Sequence, residues 1–177
     1  MMFTATMTLL LLLAGLLQSL LPPLVWLGQA KAPVLMALAA YYAIAHGRLA
    51  LLIVAAVAGL FQDSLSLLPM GCSTVCLAAI GLAIQSRRGI WFYETTGTAV
   101  ALGFAGGALM TLAIYLLLLA GRDYAPAPAG WVAGKAFGAG LLGALVTPAV
   151  WMLAAWIERR LELRAKAEEG RTLYGGA

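Results

Sequence analysis

Few residues in this chain are chemically reactive: seven Asp and Glu, one His and two Cys among 177 residues. The first acid is Asp63, in the stretch GLFQDSLSLLPMG, and no Asp or Glu precedes it. A lone acid in apolar sequence has two uses. Its carboxylate can accept backbone N–H bonds and pin the turn that follows. Alternatively it holds a proton or cation, a task that normally calls on further acids or histidines as a relay. Glu94 and Asp123 fall in loops, Asp123 beside Arg122, so the sequence offers no relay and the pinned turn is the preferred reading. Intramembrane acids are functional candidates by default. Asp63 and the turn that follows it, SLSLLPMG, are therefore the first candidate site, read as a structural pin.

His46, the only histidine, sits in the turn AHGR. One histidine cannot hold a haem between two, and with two distant cysteines it makes a poor metal site. It reads as an interfacial turn residue. Cys72 and Cys76 lie four apart, on one face of a helix, as small apolar fillers. Two cysteines build neither a disulfide framework nor a four-ligand zinc site. No Gly-rich nucleotide loop, metalloprotease pair or Ser/His/Asp set occurs. The expectation is a protein that is not an enzyme and needs no metal or cofactor.

The framework that carries these residues is set by composition. At 63% apolar and 10% charged residues, with a mean hydropathy of +0.96, the chain lacks the polar surface of a soluble domain. Its net charge of +4 could signal nucleic acid, but five of the eleven basic residues fall in the last nineteen positions, as in the cytosolic tail of a membrane protein. No nucleic-acid partner is expected; the lipid bilayer is. The apolar start has no Lys or Arg before it and no small-x-small cleavage site, so it is expected to remain as a first span.

Crossing about 30 Å of hydrocarbon takes about 20 helical residues, fewer where the bilayer thins. On that ruler the spans are 3–21, ended by Pro22 and Pro23; 33 to about 47, opened by Pro33 and closed by Gly47 in the left-handed conformation; 48–61; 71–85; 97–120; and 131–157. A Trp-bearing loop, LVWLGQAK, separates the first two at interface depth. A five-span alternative carries the third helix through Asp63 to Leu68 and makes the next stretch re-entrant, against the turn signal in LLPMG. With six spans both termini share a side with Arg48, Arg87 and Arg88, and that side collects eight of the eleven basic residues. The positive-inside rule then places both termini in the cytosol.

The fold class is thus an all-α polytopic membrane protein of six transmembrane helices, one domain over 1–157 with a short basic tail over 158–177 that continues the last helix into water. Its attractive pair is Glu162 with Lys166, spaced i,i+4. Gly103 and Gly107 in the fifth span, and Gly134 and Gly138 in the sixth, have the small-residue spacing that lets helices approach in lipid. Pro148 is expected to kink the sixth span.

The stretch YYAIAHGRLALLIVAAVAGLFQDSLSLLPMG, preceded by the helix that Pro33 opens, resembles the MreD family of rod-shape-determining bacterial membrane proteins. The shared pattern is a Pro-started span, aromatic and small residues before a basic Gly-containing turn, then a glycine, an aspartate four residues on and a Pro-x-Gly turn. Here these last are Gly59, Asp63, Pro69 and Gly71. Length, span number and basic tail are also similar, whereas SRRGIWFYETTG matches nothing in that pattern. The resemblance implies a non-enzymatic scaffold of the cell-elongation and peptidoglycan-synthesis machinery in the inner membrane. It would bind MreC, with RodA, a class B penicillin-binding protein and MreB as the wider complex, and its Asp63 turn would shape the outer surface that meets MreC.

The MreD layout is itself similar to the six-helix substrate-binding components of energy-coupling-factor vitamin transporters, which gives the alternative function. Such a binder needs a polar pocket open to the outside. The outer loops supply Gln29, Asp63, Ser64, Ser66, Arg122 and Asp123, a thin set, and the first span lacks the Ala-x-x-x-Ala pattern of those components.

Overall fold

The computed structural model describes residues 2–27, 29–66, 69–87, 96–120 and 128–174, with side chains described from Thr6 to Leu161 within those stretches. Arg88, Glu94, Arg122 and Asp123, and the side chains of Glu162 and Lys166, lie outside the described residues. Six α-helices are present among the described residues: α1 Met2–Leu20, α2 Val34–Ala45, α3 Arg48–Ser66, α4 Cys72–Ser86, α5 Thr96–Ala120 and α6 Ala129–Tyr174. Three stretches, Arg48–Ser66, Thr96–Ala120 and Ala129–Leu161, are long and apolar enough to cross a membrane; Thr6–Leu20 of α1, with α2 and α4, supplies further apolar helix. This all-helical, apolar architecture fits a membrane protein.

At the centre stands α2, which touches all five other helices. Every residue from Val34 to Ile44 is buried. Twelve residues rise only about 18 Å, so the ends of α2 stop inside the bundle and their backbone groups need partners from neighbours. Those partners are present. Gln18 Oε1 of α1 accepts the Leu35 N–H at 2.9 Å; within the helix, Trp151 Nε1 of α6 adds a donor to the Ala37 carbonyl at 3.0 Å. At the far end the Gln85 amide of α4 donates to the His46 carbonyl at 3.3 Å.

Close crossings hold the outer helices together. Helices α3 and α4 run antiparallel, with Gly59 against the Thr74 backbone and Gly81 against the Leu51 side chain. Helices α5 and α6 do the same through Gly103 with Gly143 and through Gly107 with Ala139. At each glycine a Cβ would strike its neighbour. In lipid, apolar burial gives little advantage over contact with acyl chains, so such close dispersion contacts supply the cohesion.

Two boundaries differ from the sequence expectation. Helix α3 continues past Phe61 to Ser66, because an apolar ruler measures hydrocarbon thickness and not helix length. Gln62, Asp63 and Ser64 fit a last helical turn. The helix thus passes through Asp63 as in the five-span alternative, but the segment after Gly71 is the antiparallel helix α4. Gly47 is not left-handed: α2 ends on His46 in extended conformation (φ −123, ψ −179), and its N–H returns to the Tyr42 carbonyl at 3.1 Å. The last helix does continue into the tail: the 46-residue α6 runs through Pro148 and on to Tyr174.

Candidate functional site

Asp63 sits in the last turn of α3, 1% exposed. Its Oδ2 accepts the Gly71 N–H at 2.7 Å and its Oδ1 accepts the Ser73 N–H at 3.0 Å. Gly71 is the N-cap of α4 and Ser73 the second residue inside it, so both N–H groups are among those that a helix start leaves unpaired. A capping residue normally comes from the helix's own N-terminus. Here the preceding helix supplies it, and the carboxylate lies at the positive end of the α4 dipole.

The residues around Asp63 make this geometry possible. Gly71 adopts φ +96 and ψ −14, a left-handed conformation that glycine takes without Cβ strain. The Pro69 carbonyl accepts the Cys72 N–H at 3.2 Å, closing the turn, and Pro69 cannot itself extend α3. One turn below, Gly59 lets the Thr74 backbone pass against α3. The structure therefore brings Gly59, Asp63, Pro69 and Gly71 into one corner. Beside it Met70 is 79% exposed and Leu65 43% exposed, apolar side chains on a backbone held from beneath.

The small-residue positions separate. Gly103 and Gly107 meet α6, but through Gly143, Thr147, Ala139 and Gly140. Gly138 admits the backbone of Leu27, in the short 3₁₀ turn Val25–Leu27 between α1 and α2, and Gly134 has open space where a Cβ would stand. Trp26 of that turn is 96% exposed.

At the opposite end lies a cluster that sequence reasoning missed. Glu158 Oε2 accepts the Tyr41 hydroxyl at 2.6 Å, and Glu158 Oε1 lies 3.2 Å from His46 Nε2. Tyr42 stacks on the His46 ring with centroids 4.8 Å apart, and Trp151 sits edge-on to Tyr41. His46 is thus a joint between α2 and α6 as well as a turn residue. The signal available was weak: Glu158 is the first acid at the end of a long apolar run that returns to the side holding His46.

Among the described residues no three of His, Cys, Asp and Glu converge. No protein-family model matches the chain, and no match to it was found among curated proteins or solved structures.

Proposed function

We propose that this chain is a non-enzymatic membrane scaffold of the MreD kind, seated in the bacterial inner membrane with six crossings and both termini in the cytosol. It serves the cell-elongation machinery by binding MreC, with RodA, a class B penicillin-binding protein and MreB in the wider complex. The observation that carries this reading is the corner at Asp63. A buried carboxylate, 1% exposed, accepts a backbone N–H of the next helix on each oxygen, which suits holding a shape more than meeting a ligand from water. The side chains that the corner presents outward are apolar: Leu65 and Met70. A fixed backbone with exposed apolar side chains is suited to meeting another protein.

The charge asymmetry supports the orientation. Arg48, Arg87, Arg159 and Arg160 belong to the Glu158 end, opposite Asp63, and the positive-inside rule puts that end in the cytosol. The Asp63 corner then faces the periplasm. Affinity purification of the tagged chain from its native membrane tests the partner: MreC in stoichiometric amount is expected.

A second reading, a substrate-binding component of an energy-coupling-factor type transporter, is favoured by a cavity at the Asp63 end. A water-soluble ligand retained through gentle purification, with transporter ATPases and without MreC, would select it over the scaffold.

A further inference from the structure

That cavity, of about 700 Å³, opens between the Asp63-side ends of α1, α3, α5 and α6 and the connection from α1 to α2. Its lining has two chemical halves. One is aliphatic, with Met110, Ile114 and Leu118 of α5 and Val132 of α6. The other carries hydrogen-bond donors and positive charge, chiefly Gln18, Lys31 and Lys135. No carboxylate lines it among the described residues.

The chemistry of this polar half suits an anion. Gln18 is 8% exposed and its Oε1 is taken by the Leu35 N–H, so its NH₂ is the group it can offer a ligand. Lys135 lies six residues into α6, about 9 Å below the helix start. A cation at that depth is costly in lipid unless it reaches water or meets an anion. The Trp131 ring, 4.8 Å from Nζ, attracts the charge from one side but accepts none of the ammonium protons as a carboxylate or phosphate would. Lys31, exposed on the connection before α2, brings a second positive charge to the same cavity.

We infer that this cavity binds a phosphate-bearing anionic amphiphile, with the phosphate between Lys31 and Lys135 and an acyl chain along the α5 wall. The size lies within the usual range for small-ligand sites. The aliphatic half distinguishes an amphiphile from a free phosphate, which would leave it uncovered. The inference holds whether or not the chain binds MreC.

The test uses the full chain purified in mild detergent and titrated with phosphatidylglycerol, phosphatidylcholine or glycerol 1-phosphate, with native mass spectrometry as the readout. Phosphatidylglycerol is expected to bind about tenfold more tightly than phosphatidylcholine. The preference should disappear in Lys31→Gln/Lys135→Gln and persist in Lys31→Arg/Lys135→Arg, which keeps the charge. Arg159→Gln/Arg160→Gln, at the other end, should leave it unchanged. Equal binding of the two lipids overturns the inference, as does a preference that survives the Gln pair. If glycerol 1-phosphate alone binds as tightly as the lipid and with the same lysine dependence, the acyl-chain half is wrong and the ligand is a soluble phosphate. Should the Gln pair aggregate, the comparison of lipids on the native chain and the Arg pair still decides.

Discussion

The Tyr41 hydroxyl donates to Glu158 Oε2 at 2.6 Å across 117 residues of sequence, tying the central helix α2 to the point where α6 leaves the apolar bundle. A hydrogen bond to an ionised group is worth about 1.5–3 kcal/mol. Tyr41→Phe and Glu158→Gln should each destabilise the protein by about 1–2 kcal/mol, after allowance for partial exposure. In thermal unfolding in detergent, the double variant should fall short of the sum of the two by about 1 kcal/mol. Strict additivity would show that the pair contributes nothing.

Two glycine substitutions should act in opposite directions. At Gly59 a Cβ would strike the Thr74 backbone, so Gly59→Ala must part α3 from α4 at a cost of about 1–3 kcal/mol. At Gly134 nothing stands within 4 Å, and Gly134→Ala should be neutral or stabilising by up to about 1 kcal/mol from helix propensity. Their unfolding midpoints, measured side by side, check the assignment of close crossings.

Removing the Asp63 carboxylate strands two N–H groups at the start of α4. Asp63→Ala should cost about 3 kcal/mol, and Asp63→Asn, which keeps one acceptor oxygen, roughly half as much. Loosening should be local. Maleimide labelling of half-buried Cys72, one residue past Gly71, should rise several-fold in Asp63→Ala, while Cys76, buried deeper in α4, should stay protected. Equal labelling of Cys72 in both proteins would argue against the pinned turn.

The proposed orientation makes its own prediction. In a background with Cys72 and Cys76 replaced by Ala, Gly47→Cys and Met70→Cys lie at opposite ends of α3, both exposed. A membrane-impermeant thiol reagent added to intact cells should label Met70→Cys and leave Gly47→Cys unlabelled until the membrane is broken. The reverse pattern would invert the topology.

How far these features can be read from sequence depends on their range. Pro33, Pro69 and Gly71 mark helix starts locally, and the acid eight residues before Gly71 points to the turn it caps, because chain connectivity already brings the two together. Pairings between distant segments leave no such trace. The spacing of Gly134 and Gly138 shows that a face is small, but not that Gly138 meets the backbone of Leu27 while Gly134 meets nothing. Likewise Gln18 reads as one polar residue near the end of an apolar helix, although it completes the hydrogen bonding of α2. The left-handed expectation at Gly47 failed because α2 and α3 are joined by His46 in extended conformation, a geometry in which the next residue needs no positive φ.

Whether the chain is a scaffold presenting the Asp63 corner to MreC is decided by quantitative co-purification. The tagged chain and its Asp63→Ala variant would be extracted from native membranes in mild detergent, and MreC counted per copy by mass spectrometry. A scaffold of this kind should carry stoichiometric MreC in its native form and clearly lose it in Asp63→Ala at equal accumulation. Absence of MreC from the native chain, or retention by an equally abundant Asp63→Ala, would contradict the proposal.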